Sequence, residues 1–381
     1  MDSIFIECFS ALKEPRVERT RKHILLDVLA LSICGVLSGA EGWEEIEDFG
    51  KEHENWFRQF LELPHGIPSH DTISRVFSAL DPNGLQSCCI NWLKRISQLI
   101  AEDIIAVDGK ALRGSKRVNE CKKALHIINA WSCANRICLG QLKVEDKSNE
   151  IPAVPELLKL LYIKGAIVTL DAMGAQEDTV KQIREADADY VITLKGNQGA
   201  LHKTVKDSFI LHDNGSDVIK VYRADAEVVA DHGRIEERFI EVMSTEKLKN
   251  LIDPRWVDLK SIARITYTKT EPTGEIVIDK RHLISSLVPD NPARILHAAR
   301  SHWQVENSLH WSLDVTFSED NCRIRDENAA VNFSWMRKFA LGLLKNESSF
   351  KASIRRKQRK VCTNIQYLAK VTWSSKTVHT S

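Results

Sequence analysis

The sequence has 381 residues, of which 43% are hydrophobic and 28% are charged, and its formal net charge at pH 7 is +1. This composition is typical of globular proteins and excludes a wholly disordered, collagen-like or low-complexity chain. Because the net charge is close to zero, no overall field draws the chain to nucleic acid or membranes, so any polyanion site must be a local patch.

Residues 1–100 are predicted to form helices. The apolar run from Ile24 to Ala40 follows a basic stretch, but Asp27 interrupts it and its uncharged part is too short to cross a bilayer. We therefore expect a buried helix, and a cytoplasmic protein without a membrane partner. The other helices are predicted at Trp43 to Leu63, at His70 to Leu80 with Ser69 as N-cap, and at about Leu85 to Ala101.

The helix that begins at His70 follows a turn that contains Pro64 and Pro68. A short helix, a turn and a polar helix that carries His70, Ser74 and Arg75 together match a helix-turn-helix, which would read DNA bases. A helical bundle without base contacts explains these residues equally well, and both interpretations stay open.

Nine cysteines are present, without a C-x-x-C pair. This spacing does not match a zinc site, so we expect free, buried thiols in a reducing compartment and no structural zinc.

Beyond residue 101 the pattern predicts an α/β domain. Apolar runs predict strands at residues 104–107, 124–133, 137–144, 166–170 and 190–194, with a helix before each of the last two. The order β-β-β-α-β-α-β is that of a ribonuclease-H-like mixed sheet with helices on both faces.

A β-rich insertion is predicted at about residues 198–290, followed by helices at about 292–313 and 329–345. The expected organisation is a helical N-terminal domain at 1–100 that could bind DNA ends, a catalytic domain at 101–345, and a basic tail at 346–381. Such a tail either binds phosphates or is simply solvated.

Two aspartates end two of the predicted strands. Asp108 follows the run IIAV, and Asp171 follows the run IVTL. These strands are neighbours in the predicted order, so the two carboxylates are expected side by side at a sheet edge, where ligand sites of such sheets lie. A single aspartate at a strand end is usually a turn former, whereas a pair on neighbouring strands favours a site.

The third candidate is Glu306, on the predicted long helix with His302 and His310 at neighbouring helical positions. A glutamate on such a face is costly to bury unless it is paired or binds a cation. A metal ligand and a salt bridge to Arg300 are equally good explanations.

Three carboxylates within a few ångströms repel one another, and a hard divalent cation removes that cost. Two Mg²⁺ ions, which Mn²⁺ can replace, would activate a water or a 3′-hydroxyl for in-line displacement at phosphorus. The sequence offers no competing serine or cysteine nucleophile elbow and no glycine-rich phosphate loop.

Six segments, in register along the chain, together resemble the DDE transposases of bacterial insertion sequences, specifically the H-repeat-associated transposases linked to Rhs elements. The segments are VDGKALRG at 107–114, SNEIPAVPELL at 148–158, TLDAMGAQ at 169–176, LKGNQ at 194–198, DHGRIEER at 231–238 and RSHWQVENSLHWSLDVTFSED at 300–320. The N-terminal stretch resembles the domain associated with that family, and the resemblance covers about residues 5–350.

The resemblance implies a ribonuclease-H-like DDE catalytic domain in which Asp108, Asp171 and Glu306 are the catalytic, metal-binding triad. It implies cleavage of double-stranded DNA at the terminal repeats of an element and strand transfer into target DNA. It also implies a homodimer or larger assembly on DNA, which would place the protein on the bacterial nucleoid. The alternatives are a non-catalytic DNA-binding remnant and a nuclease of the same fold that cuts without joining.

The chain departs from one signature of the broader relatives. Those carry a Tyr seven residues before the glutamate, an Arg four before it and a Lys seven after it, where this sequence has Ala299, His302 and Leu313. We expect His302, Arg300 and His310 to take over the contacts to phosphate and to the DNA end.

Basic residues that follow the strand ends are further candidates for DNA contact. Lys110 and Arg113 follow Asp108, and either contact the DNA backbone or belong to a solvated loop. Lys195 and Asn197 follow the last core strand, and either hold a phosphate or form a plain turn.

Arg234 and Arg238 lie on one face of a predicted insertion strand. Contact with DNA phosphates is one explanation, and ordinary cross-strand pairing with Glu236 and Glu237 is the other.

Overall fold

The computed structural model describes residues 3–96, 103–116, 124–144, 150–231 and 234–373. The α-helices of this part of the chain are α1 (Ser3–Phe9), α2 (Leu25–Leu37), α3 (Trp43–Glu52), α4 (Glu54–Phe57), α5 (His70–Ala79), α6 (Pro82–Ile96), α7 (Glu150–Lys159), α8 (Glu177–Glu185), α9 (Gly199–Asp213), α10 (Pro292–Gln304), α11 (Trp311–Phe317), α12 (Glu327–Asn346), α13 (Ile354–Thr363) and α14 (Ile365–Trp373). The strands are β1 (Ile104–Leu112), β2 (Leu125–Ser132), β3 (Ile137–Val144), β4 (Ile167–Leu170), β5 (Asp189–Leu194), β6 (Val221–Asp231), β7 (Arg234–Ser244), β8 (Ser261–Thr270) and β9 (Ile276–Ser285).

The chain divides into two compact units whose boundaries do not follow the sequence order. The helical unit comprises Met1–Ile100, Gly109–Lys147 and Glu306–Ser381, and the sheet unit comprises Ala101–Asp108 and Ser148–Val305. The N-terminal helices therefore share one unit with β2, β3 and the C-terminal helices, instead of standing alone as the sequence pattern suggests.

The central element of the helical unit is α12, which contacts α2, α5, α6 and β3. On α12, the side-chain amide of Asn332 donates hydrogen bonds to the carbonyls of Phe77 and Leu80, at 2.8 and 3.1 Å. These contacts join parts of the chain about 250 residues apart in sequence, which explains why local patterns did not reveal the unit.

The apolar run near residue 30 forms the expected buried helix, α2. Asp27, the charge that interrupts it, is buried and accepts a hydrogen bond from the backbone N–H of Leu63 at 2.9 Å. Ser69 caps α5 as predicted, since its Oγ accepts from the N–H of Thr72. Among the helices that the structure describes, none has the length and apolar character needed to cross a membrane.

Most of the described cysteines are buried. Cys121 lies outside the described residues.

Most of the segment expected as a basic tail is a packed part of the helical unit. It forms α13 and α14, and the ring of Trp373 meets those of Phe5 and Phe60 at centroid distances of 5.4 and 5.6 Å. Val361 and Leu368 are buried, while most charges of α13 lie on its exposed side. Because Lys and Arg are so frequent in this segment, its apolar stripe is not apparent from the sequence. The prediction of a basic tail is therefore corrected for the part that ends at Trp373. Residues 374–381 lie outside the described part.

In the sheet unit the strands form a mixed sheet. β4 is parallel to both β1 and β5, and β5 pairs antiparallel with β9, after which β8, β7 and β6 follow as an antiparallel meander. The predicted β-rich insertion thus extends the central sheet through its last strand. In the helical unit, β2 pairs antiparallel with β3.

The predicted order β-β-β-α-β-α-β is confirmed by β1, β2, β3, α7, β4, α8 and β5, and so is the mixed α/β class with a helical N-terminal region. α10 packs on β4 and β5, so it covers one face of the sheet close to the end of β4.

Candidate active site at the ends of two parallel strands

Asp108 and Asp171 lie at neighbouring positions in the sheet unit. The register of the parallel pair β1–β4 ends with Val107 opposite Leu170. Asp171 directly follows β4, whereas Asp108 lies within β1, which continues to Leu112, so the predicted end of that strand at Asp108 is corrected. Parallel neighbours are about 4.8 Å apart, and residues in register point to the same face. The two carboxylates therefore occupy one edge of the sheet on one face, as the strand order predicts.

The turn after Asp171 fixes the orientation of this side chain. Its Oδ1 accepts hydrogen bonds from the N–H groups of Met173 and Gly174, at 3.0 and 3.2 Å. Only glycine fits at 174, because a Cβ there would come within 2.6 Å of the Leu170 side chain. The rest of the Asp171 carboxylate is exposed to solvent.

The loop after β5 supports the same turn. The side-chain amide of Asn197 donates to the carbonyl of Ala172 at 2.7 Å, and that of Gln198 donates to the carbonyl of Ala175 at 2.8 Å. Asn197 thus makes an internal contact that holds the Asp171 turn. Lys195 follows β5 at the same sheet edge, and its side chain is exposed.

His302 on α10 lies over the strand that ends at Asp171. Its Nδ1 shares a hydrogen bond of 3.2 Å with the hydroxyl of Thr169, which precedes Asp171 by two residues and so points to the same face. Burial lowers the pKa of His302, and the nearby Asp171 carboxylate opposes that shift. The ring is therefore held against the sheet mainly in its neutral form at pH 7.

Glu306 follows His302 by four residues and lies in a π-helical segment, Val305–His310, between α10 and α11. Its side chain is exposed, and it is the first residue of the C-terminal part of the helical unit. His310, the last residue of the π-helical segment, is half-buried. Such segments insert an extra residue into a helix and occur frequently at functional sites. The sequence pattern predicted a helix here but did not reveal this change of winding.

The two aspartates offer the ligand chemistry that Mg²⁺ and Mn²⁺ prefer. Mg²⁺ is usually held through one or two carboxylates, while waters and substrate phosphates complete its shell. Within the described ranges, no group of three or more His, Cys, Asp or Glu side chains could hold a metal ion. The two aspartates alone would supply only a partial ligand set for such a cation, which substrate oxygens would complete.

The arginines predicted to contact DNA in the sheet unit all have carboxylate neighbours. Arg234 and Arg238 both pair with Glu236, at 3.0 and 2.7 Å, and Arg300 pairs with Glu227. The pairing of Arg234 and Arg238 runs along their own strand instead of across strands. DNA would have to compete with these acids for each guanidinium group.

Lys110 belongs to an ionic cluster inside the helical unit. Its Nζ donates to Oε2 of Glu319 at 2.7 Å and to Oδ1 of Asp314, and the side chains of Lys110 and Glu319 are only 10% and 1% exposed. The ammonium group is therefore used inside the protein, which assigns Lys110 a structural contact in place of a solvated loop. Arg113 remains exposed, 3.5 Å from Asp320.

The cluster continues into α12, a part that sequence reasoning did not identify. Oε1 of Glu319 accepts from the hydroxyl of Ser334 at 2.8 Å, and Nζ of Lys338 donates to Ser334 and to Gln141, at 2.9 and 2.5 Å. Lys110 and Glu319 are 209 residues apart in sequence, so no local motif predicts their contact. The sequence feature that could have indicated a buried ionic cluster is Lys338, a lysine on the apolar side of a long helix.

The close fit around this cluster explains a glycine in the segment VDGKALRG. A Cβ at Gly114 would lie 1.7 Å from the carbonyl oxygen of Cys322, closer than any side chain allows. The backbone after β1 thus packs directly against the backbone that follows Glu319.

Stability at acid pH is expected to depend on Glu319. Burial alone would raise the pKa of its carboxyl, but Lys338, Lys110 and Arg337 outweigh burial and lower the pKa to about 2. Because the folded pKa is below the unfolded value, the stabilisation is complete above about pH 4.5 and is lost as the pH falls toward 2. Urea denaturation from pH 6 downwards should show wild type losing about 3 kcal/mol more than Glu319→Gln.

The matched control for this pH series is Glu156→Gln, which removes an exposed carboxylate that pairs with Lys159. It should follow the wild-type pH curve. Equal acid sensitivity of wild type and Glu319→Gln would contradict the assignment.

Comparison with known proteins identifies the family of the chain. The family model described as "Transposase DDE domain" matches residues 100–343, and the model described as "DDE_Tnp_1-associated" matches residues 6–93. The "H repeat-associated putative transposase YhhI" of Escherichia coli (strain K12) is 40% identical over 375 residues, which cover 96% of this chain and 97% of the relative. The "Putative transposase YncI" of Escherichia coli O157:H7 is 38% identical over 370 residues, covering 96% and 93%.

A shorter relative bears the name "Inactive transposase YbfQ", also from Escherichia coli (strain K12). It is 57% identical over 56 residues, which cover 15% of this chain and 67% of the relative. This similarity is restricted to a small part of the chain.

Proposed function

Because the chain belongs to the DDE transposase family, we propose that it cuts DNA at the ends of an insertion sequence and joins the freed strands to target DNA. The observation that carries the proposal is the pair Asp108 and Asp171, which directly follow the last paired residues of the parallel strands β1 and β4. Carboxylate oxygens are the ligands that Mg²⁺ takes in proteins, so this pair supports a site for a divalent cation.

In the proposed reaction, a water attacks the phosphorus at the element end, and the bond between phosphorus and the bridging 3′-oxygen breaks. The products are a 3′-hydroxyl and a 5′-phosphate. The 3′-hydroxyl then attacks a phosphorus of the target strand, which releases another 3′-oxygen. Divalent cations, Mg²⁺ in our proposal, would lower the pKa of the attacking hydroxyl and offset charge on the phosphate.

The candidate site residues have different roles in the proposed reaction. Asp108 and Asp171 would hold the cations, and the amides of Met173 and Gly174 keep Asp171 in position. Support for a third ligand, Glu306, comes from its place one helical turn after His302, whose ring lies over the strand of Asp171. The neutral His302 would position its helix, instead of binding phosphate as a cation.

Contacts to the DNA backbone fall to the exposed basic groups. Lys195 stands at the same sheet edge as the aspartates, and Arg113 lies on the surface. Arg300, Arg234 and Arg238 would exchange their carboxylate partners for phosphates, with His310 as a further contact. We also propose that the protein acts in the cytoplasm as a homodimer or larger assembly, since two element ends must be joined.

The decisive test is incubation of the protein with labelled duplex DNA that carries the terminal repeats, with and without Mg²⁺ or Mn²⁺. Wild type should nick the ends only with metal and then join a preprocessed 3′-hydroxyl end to target DNA. Nicking without joining would support a nuclease, and binding without nicking would support a non-catalytic remnant.

The place of the third acid is tested in the same assay with Glu306→Gln. Nicking should fall at least about a hundredfold, because one carboxylate ligand is lost while the shape of the side chain is kept. The control is Glu275→Gln in the exposed turn between β8 and β9, which should cut like wild type. If Glu306→Gln also cuts like wild type, Glu306 is not the third acid.

A further inference from the structure

A basic cleft lies in the sheet unit, outside the site described above. Four lysines line it, together with Tyr222, and its volume is about 500 Å³. It is formed by the start of β6, the turn after β7, the segment before β8 and the segment after β9. We call it the lysine cleft and define it by Lys220, Lys247, Lys249 and Lys260.

The lining of the lysine cleft contains more lysines than carboxylates. Its lining contains one carboxylate, Glu246, and among the described residues none of the four lysines forms an ion pair with an acid. Nζ of Lys247 donates to the carbonyl of Val218 at 2.7 Å, and Nζ of Lys220 lies 4.4 Å from the ring centre of Tyr222. The arginines of the same sheet, by contrast, have acidic partners.

The strand register places the lysine cleft at the sheet edge opposite Asp171. β9 is antiparallel to β5, with Ser285 opposite Val191 near the start of β5, and the N–H of Lys260 donates to the carbonyl of Ser285 at 3.0 Å. Asp171, in contrast, follows the end of β4, which is parallel to β5.

The separation follows from strand spacing. Five steps lead from β4 through β5, β9, β8 and β7 to β6, each about 4.8 Å, and the opposite edge adds further length along the strands. The β6 side of the cleft is therefore about 25 to 30 Å from Asp171. Along B-form DNA, at about 3.4 Å per base pair, this corresponds to about eight base pairs.

We propose that the lysine cleft binds phosphates of duplex DNA about eight base pairs from the phosphate that is cut. The ligand class follows from the charges, because lysine ammonium groups are compact, strongly hydrated cations that bind phosphates as point charges. The identity of the ligand as DNA rests on the proposed function. The cleft adds affinity and sets the position of the duplex, and it takes no part in the chemistry.

The test uses a triple variant, Lys220→Gln, Lys249→Gln and Lys260→Gln. Lys247 is kept because its ammonium group holds the carbonyl of Val218. The probe is a labelled duplex of arbitrary sequence, and binding is measured by fluorescence anisotropy at several salt concentrations without divalent metal. Each lost phosphate contact reduces the slope of log affinity against log salt by about 0.9, so the slope should fall by two to three.

The matched control removes three exposed lysines of the same unit that do have acidic partners, with Lys159→Gln, Lys164→Gln and Lys181→Gln. Its slope should equal that of wild type. Hydroxyl-radical footprinting on the terminal repeats gives the position, and protection about eight base pairs from the cut should disappear in the cleft variant alone.

The outcomes separate this inference from the proposed function. If the triple variant has the wild-type slope of log affinity against log salt and wild type cuts the ends, DNA binding by the lysine cleft is refuted and the proposed function stands. A reduced slope in a protein that never cuts would support the cleft and overturn the catalytic proposal. Equal losses in the cleft and control variants would show a general charge effect and overturn the cleft.

Discussion

Asp171→Asn is expected to abolish metal-dependent cleavage of the DNA ends, with a loss of roughly a thousandfold or more. The expected loss comes from the charge of the side chain and not from a change in the fold. Asparagine keeps the oxygen that accepts from the N–H groups of Met173 and Gly174, so the turn should stay folded. It removes the negative charge that a divalent cation needs. Asp108→Asn should show the same loss, because its carboxylate occupies the neighbouring position on β1.

Nicking of labelled ends under single-turnover conditions measures this effect, and anisotropy measures DNA binding separately. Binding without metal should be unchanged or slightly tighter, since a negative charge near phosphate is removed. The control Asp178→Asn changes an exposed aspartate in the first turn of α8 and should cut like wild type. Cleavage by both Asp108→Asn and Asp171→Asn at the wild-type rate would refute the proposed site.

Lys110→Met is expected to lower the free energy of unfolding by about 3 kcal/mol. The substitution leaves the Glu319 carboxylate, which is 1% exposed, without its 2.7 Å partner, and it also removes the contact to Asp314. Lys338 and Ser334 remain near this carboxylate, but a buried charge that loses its directly bonded cation costs more than the loss of a surface pair. Against a typical total stability of about 5 to 15 kcal/mol this is a large fraction.

Urea denaturation of the full chain measures the loss. Lys159→Met, which breaks the exposed pair with Glu156, should cost less than about 1 kcal/mol. In the double variant Lys110→Met/Glu319→Gln the costs should be less than additive, because the second change removes the charge that the first one stranded. Additive costs would mean that the two side chains are not coupled.

Several parts of the fold were accessible from local patterns. The alternation and runs of apolar residues predicted the strands of the core and their order. Ser69 predicted the start of α5. Asp108 and Asp171 were predicted as neighbours because the order of strands decides which ends meet. These features depend on interactions between residues close in sequence or on simple rules of strand connection.

The domain boundaries and the tail could not be predicted in this way. α12 joins the N-terminal helices through contacts such as Asn332 with Phe77 and Leu80, which lie far away in sequence. The basic residues of α13 suggested a solvated segment, yet Val361 and Leu368 are buried. In both cases the deciding term is burial of apolar surface against a distant partner, which no local window contains.

The sequence by itself determined the family, the α/β class and the two aspartates at the strand ends, since each depends on motifs and on short-range periodicity. Only the tertiary structure decided that Lys110 is buried against Glu319, that Asn197 supports the Asp171 turn, and that four lysines from separate segments line one cleft. The physical reason is that the role of a charged side chain is not determined by its neighbours in sequence. Its partners, its burial and therefore its free energy are set by residues that folding brings from elsewhere.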